Sequence, residues 1–345
     1  MTTAAALSVP DSLFDFHGMF RDDHDCAVFL ERIRWPDGFA CPQCGTVGEP
    51  QRLATRPGIL RCRSCLAETS LTSGTIMHRT KMPLLMWFYG AYLVTSETPG
   101  MSALQFQRQM GMKRYETAYM MLQKLRAAMI RPDRDRIGGA WPVEMDETLI
   151  GGRTRGEGRG VHHKAVVVGA VEVRQGSEDD PGTASRREKH RRGVPLRGMT
   201  YAGRLRLRIV PGRGAKHLEQ FAAESILPGT HVQTDGWVGY DGLAGLGFDH
   251  DPLVVDGDPE RLDEHLPMFH IVASNLKTWL RGTHHGVSQT HLQAYLNEYV
   301  FRFNRRFYPM GAFAKVLGIA VRSRGPTYDD LYGGQWVHRK NPGRR

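Results

Sequence analysis

Residues 141–173 read WPVEMDETLIGGRTRGEGRGVHHKAVVVGAVEV, and this stretch decides the fold class. Val143–Ile150 and His162–Val173 are rich in β-branched residues and alternate as strands do. Downstream, Arg204–Val210 repeats the strand pattern, Lys216–Ile226 has helical spacing, and Thr230–Thr234 is a short strand with Asp235 at its end. Helix returns over 270–306. Strands, a helix, a further strand and closing helices predict an α/β (α+β) domain over 140–310. Between the strands, 175–198 holds almost no apolar residue and reads as an insertion.

Two aspartates sit in strand context beside distinctive neighbours, in Glu144-Met145-Asp146-Glu147-Thr148 and Gln233-Thr234-Asp235-Gly236-Trp237. Either one alone reads equally as a turn residue or a helix cap. A carboxylate projecting from a central strand, however, is costly to bury unless a cation meets it. Two that converge would hold divalent metal for phosphodiester chemistry.

Upstream the texture is helical. Residues 12–35 read as a helix interrupted near Asp22-Asp23 and ended by Trp35-Pro36-Asp37-Gly38. Further helices are expected over 81–95, 102–110 and 113–130, with Pro99-Gly100 and Pro132 as stops. The segment 102–130, turning at Gly111, has the form of a helix-turn-helix, with Lys113, Arg114 and Gln123 as candidate phosphate or base contacts. The same pattern fits an ordinary αα-hairpin.

Between the first two helical regions lie Cys41-Pro42-Gln43-Cys44 and, after seventeen residues, Cys62-Arg63-Ser64-Cys65. A two-residue gap lets one tight turn aim both thiolates of a pair at a single ion, and the intervening residues can form the hairpin that closes a tetrahedral site. Four thiolates leave no open position, so Cys41, Cys44, Cys62 and Cys65 predict a structural Zn2+ site. Cys26 stands apart and is expected only to fill a helix face.

Lysine and arginine number 46 against 36 acidic residues, and the net charge of +10 favours a polyanionic partner. Basic residues gather at Arg153, Arg155 and Arg159, at Arg186, Arg187, Lys189, Arg191 and Arg192, at Arg302, Arg305 and Arg306, and at Arg339, Lys340, Arg344 and Arg345. Each cluster alone reads more readily as a solvated face; together they imply salt-dependent binding. The longest apolar run, 83–94, is short of a membrane span, and the N-terminus has no basic region before an apolar stretch, so a cytoplasmic location is expected.

Several segments together resemble the ISXO-type insertion-sequence DDE transposases, which begin with a zinc ribbon. They are CPQCG with RCRSC, TSLTSGTIMHRTKMPLLMWFYGAYL, VEMDETLIGG with VHHKAVVVGAVEV, TDGWVGYDGL, and SNLKTWLRGTHHGVSQTHLQAYLNEYVFRFNRR. The resemblance implies an RNase H-like catalytic core with a mixed sheet, behind a zinc ribbon (1–75) and a DNA-reading helical region (76–135), with 311–345 left as a basic tail. It also implies metal-dependent cutting and joining of double-stranded DNA at element ends, Mg2+ or Mn2+ at the catalytic site, and a homo-oligomer on DNA. The rival readings are a catalytically decayed DNA-binding regulator and an RNase H-fold nuclease or resolvase that performs no strand transfer.

The family pattern calls for a third metal-site residue, commonly glutamate, with a basic residue seven positions on. Here no glutamate stands at that place. His270 lies 35 residues after Asp235 and Lys277 seven further, and two helical turns put them on one face. His270 is therefore preferred to Asn275, and either to Glu264. The candidate catalytic set is Asp146, Asp235, His270 and Lys277.

Overall fold

The computed structural model describes residues 8–56, 58–131, 134–151, 164–176, 200–253, 265–308 and 310–332. The basic clusters at 153–159, 186–192 and 339–345, Glu264, and all but the start of the expected insertion lie outside these residues. Two compact units emerge, one running to Arg131 and resuming at Tyr308, the other spanning the residues between.

The first unit opens with α1 (Leu13–Met19) and α2 (Asp23–Arg34). The interruption expected near Asp22 is a second helix start. The Asp22 carboxylate accepts the backbone N–H groups of His24 and Asp25 at 2.9 and 3.0 Å, satisfying amides that have no partner within the helix. A small antiparallel sheet of β1 (Gln51–Arg52), β2 (Ile59–Arg61) and β3 (Glu68–Ser70) follows. Next come α3 (Leu84–Ser96), α4 (Ala103–Gln109) and α5 (Tyr115–Ala127). Cys26 is fully buried, and burial followed by the charges of its acidic neighbours pushes its thiol up to about 12, as suits a packing residue.

The expectation of a basic tail from residue 311 fails for its first part. Residues there form the helix Met310–Ala320 (α9, counted in chain order over both units), and a short α10 (Tyr328–Tyr332) follows. Phe313 is 1% exposed, with its ring centroid 5.8 to 6.3 Å from those of Phe16, Phe20, Phe29, Phe88 and Tyr92. The segment is apolar enough to finish a core that the N-terminal helices leave incomplete. Phe313→Ala should destabilise this unit by about 3–5 kcal/mol, the usual cost of emptying a buried phenyl site. Denaturant unfolding measures it, and a loss below about 1 kcal/mol would refute the role.

In the second unit five strands line up as β6-β5-β4-β7-β8, comprising β4 (Val143–Ile150), β5 (Ala165–Gln175), β6 (Thr200–Val210), β7 (His231–Asp235) and β8 (Asp249–Leu253). The first three form an antiparallel meander, β7 joins β4 in parallel, and β8 joins β7 in parallel at the edge. This is the mixed sheet of an RNase H-like core. β5 reads as a nearly continuous apolar run because it is covered on both faces. Val166, Val168 and Ala170 meet α6 (Ala215–Ser225) and the 3₁₀ segment Val238–Leu246 through Leu218, Phe221, Tyr240 and Leu243. Val167 and Val171 meet α7 (Pro267–His284) and α8 (Gln289–Phe303) through Phe269, Val272, Leu276 and Leu296.

The same alternation sorts β4. Val143 and Met145 enter the core beneath α6, which sends Glu144 and Asp146 to the α7 face.

Candidate active site

Register explains why the two aspartates meet. Val143 pairs with Val232 and Glu144 with Gln233 across the parallel β4–β7 contact. Carried two residues beyond these pairs, the same register directs Asp146 and Asp235 to the α7 face of adjacent strands, and the Asp146 charge acts on the Asp235 carboxyl. Asp146 lies opposite Gly169 on β5. A Cβ on Gly169 would stand 2.7 Å from the Phe269 ring, so the glycine lets the first turn of α7 settle onto the sheet at the level of Asp146. Phe269 is buried there, and its neighbour His270 brings Nε2 to 3.5 Å from Asp146 Oδ2.

Glu144 fixes that helix end. It is 1% exposed, and its Oε2 accepts the backbone N–H of Phe269 at 2.7 Å. Burial raises its acid group to about 7 against the opposing pull of those helix amides and His270. Glu144 was not singled out in the sequence. Its signal was present, two residues before Asp146 on one strand face, but its partner lies 125 residues away.

Burial and then the charge of Asp146 raise the Asp235 carboxyl above its usual range; a backbone N–H from Trp237 at 3.2 Å, Arg213 and His270 oppose the shift. Asp146 Oδ1 accepts the N–H of Glu147 at 2.6 Å. Lys277 shares the face of α7 that carries His270 and is half-buried, which lowers its ammonium pKa, while Asp146 pulls it back up and Arg281 and Lys164 lower it further. Lys164, Lys277 and Arg281 thus make a cationic side to an acidic centre. Asn275 is exposed.

On the opposite face of β4, Glu147 accepts from the Tyr240 hydroxyl and the Arg213 guanidinium. Tyr240 is fully buried, and burial followed by the Glu147 charge holds its hydroxyl well above the usual phenol range. Glu172 is also buried but fully engaged, by Arg174, both backbone and side chain of Arg204, and the Gly138 N–H. Two carboxylates thus have dedicated protein partners, while Asp146 and Asp235 face each other and an imidazole. Oxygen donors with one nitrogen suit a hard or borderline divalent ion.

The four cysteines are better gathered. Their sulfurs all lie within 4.8 Å of one another, with Cys41–Cys65 at 3.6 Å and Cys44–Cys62 at 3.7 Å. A tetrahedral zinc with Zn–S near 2.3 Å requires edges of about 3.8 Å, so the set fits the ion. Among the described residues it is the only such cluster of three or more metal-binding side chains. Asp146, Asp235 and His270 do not form a second one; like-charged carboxylates spread unless a cation lies between them.

Two known family models match the chain. Residues 137–304 match the ISXO2-like transposase domain, and residues 21–68 match the transposase zinc-ribbon domain. The chain carries an ISXO2-like transposase domain behind a transposase zinc ribbon. No curated protein and no solved structure matches it. Within this transposase, no described helix is long and apolar enough to cross a membrane.

Gln123 and the 302–306 cluster are packed into the protein instead of facing DNA. Gln123 is fully buried in α5 and cannot reach a groove, whereas Lys113 and Arg114 are exposed at the start of that helix. Arg302, Arg305 and Arg306 are structural rather than a backbone-tracking surface. Arg302 lies 3.5 Å from buried Glu298, Arg305 stacks on Phe301, and Arg306 stacks on Phe303 and Phe307 while donating to the Ala202 carbonyl.

Proposed function

We propose that this transposase binds the terminal inverted repeats of its element and cuts and joins DNA at a centre made by Asp146, Asp235 and His270. The observation carrying the reading is His270 Nε2 at 3.5 Å from Asp146 Oδ2, with Asp235 on the neighbouring parallel strand close enough for the Asp146 charge to raise its carboxyl. In cleavage, a water oxygen forms a bond to phosphorus as the bond to the 3′ oxygen breaks, leaving a 3′-hydroxyl. In strand transfer that hydroxyl attacks a target phosphodiester, making one P–O bond and releasing one target 3′ oxygen. Divalent ions held by the two aspartates and His270 would supply Lewis-acid stabilisation of the attacking and departing oxygens.

The chain's own contribution is placement. Glu144 holds the first turn of α7, which keeps His270 beside Asp146. Lys277, with Lys164 and Arg281 near it, offers point charges to DNA phosphates. Lys113 and Arg114 at the start of α5 suit a helix entering the major groove, and the surplus of basic residues predicts binding that weakens steeply with salt.

The test is incubation with DNA carrying the inverted repeats that bracket the reading frame. Joined products support the transposase reading. Cleavage that never yields joined DNA would make the protein a nuclease, and binding without cleavage a regulator. The metal dependence of the same assay probes His270. Imidazole is a softer donor than carboxylate, so Mn2+ should support strand transfer at least as well as Mg2+. A strong preference for Mg2+ would remove His270 from the ligand set.

A further inference from the structure

Two residues after Asp235 the chain exposes an aromatic ring that the fold holds in place. Trp237 is 41% exposed, and its neighbour Val238 is 66% exposed. Surface indoles are commonly free to change rotamer, but this one is fixed at several points. Its Nε1 donates to the Arg213 carbonyl at 3.0 Å, and its backbone N–H donates to Asp235 Oδ1 at 3.2 Å. The Arg213 guanidinium lies over the ring at 4.8 Å from its centroid. A Cβ at position 239 would fall 2.7 Å from Trp237 Nε1, so Gly239 is what leaves room for the indole.

Arg213 is not free to grip a phosphate, because Glu147 neutralises it. Glu147 is itself buried and bonded to Tyr240, so the clamp on the indole is rooted in the core. A preorganised ring gives up little conformational freedom when a flat ligand stacks on it. Its position next to Asp235 sets which ligand arrives there.

We infer that Trp237 is a stacking platform for an unpaired nucleobase of the DNA next to the phosphate engaged at Asp235. Inside a duplex both faces of a base are already covered by its neighbours. The occupant is therefore a base that has left the stack or lies beyond the end of the paired region. The inference rests on the DNA-cleaving function proposed above and adds a binding subsite to it.

Two duplexes test it in the presence of calcium: one blunt, and one with a three-nucleotide single-stranded overhang containing 2-aminopurine. The wild-type protein should prefer the overhang probe by about tenfold or more, the scale of one base–aromatic stack, and should quench its fluorescence. Trp237→Ala should bring the overhang-to-blunt affinity ratio close to unity and abolish the quenching. Trp237→Phe, which keeps a ring, should retain part of both and serves if the alanine variant does not fold. An unchanged ratio and unchanged quenching in either variant, with the blunt duplex still bound, overturn the platform alone. A wild-type protein that binds neither probe overturns the DNA reading and the platform with it.

Discussion

Asp146→Asn and Asp235→Asn should each reduce DNA cleavage on the order of a thousandfold or more, a loss above about 4 kcal/mol of transition-state stabilisation, while leaving DNA binding and folding intact. The separation of catalysis from stability follows from what the carboxylates touch. Asp235 is raised by burial and by the negative charge of Asp146, so its ionised form is opposed by the protein around it. Neutralising either partner removes repulsion between two charges. The melting temperature of each asparagine variant should therefore hold or rise. Asparagine also keeps an oxygen to accept the N–H groups that Asp146 and Asp235 take from Glu147 and Trp237. Glu172 provides the control: buried and bonded to Arg174 and Arg204, it should lose stability on the equivalent change because two cations would be left without their anion. Cleavage assays, DNA-binding titrations and thermal melts on the three variants decide the matter. Full cleavage by either aspartate variant would remove that residue from the catalytic set, and a large fall in melting temperature would make its role structural.

The site was legible in the sequence to the extent that local pattern fixes direction. A strand has a period of two, so placing Asp146 in VEMDETLI also determines which side chains share its face, and the apolar run from Ala165 announces a neighbour covered on both sides. The helical period likewise put His270 and Lys277 on one face of α7. What the pattern could not carry were properties that depend on distant partners. Glu144 reads as an ordinary polar position on an alternating strand until the first turn of α7 arrives to use it. Gln123 reads as a polar helix position, yet α5 is covered on more than one side and takes the amide with it. The arginines of 302–306 look like a basic surface because charge is visible in a sequence and the aromatic rings beneath it are not. Residues 311–320 read with the basic, polar tail that follows them, although their apolar content is what the first unit's core needs.

Removing the metal from the cysteine site should unfold the ribbon while sparing the mixed sheet. The ribbon has almost no core of its own. Its buried cluster is Phe39, Cys41, Leu60 and Cys62, with Trp35 and Ala67 against it, so half of the buried set are metal ligands. Its strands are two or three residues long, too short to hold a sheet by their own hydrogen bonds. Arg34 at the end of α2 donates to the carbonyls of Ser70, Leu71 and Ser73, but these bonds secure the end of β3 and the segment after it, not the cysteine turns. Structural zinc sites in small modules supply on the order of 10 kcal/mol of folding free energy, far more than so small an apolar cluster can replace. Cys62→Ser takes away both a ligand and a core residue. The variant should bind less than one zinc per chain and become sensitive to protease between about residues 35 and 75, a window that brackets the ribbon. A chelator should produce the same cleavage in the wild-type protein. The second unit, with its own cores on both faces of the sheet, should keep its cooperative melting transition. Metal analysis, limited proteolysis and calorimetry read the three effects, and a zinc-free protein with an unaltered melting curve would show that the four thiols hold no structural ion.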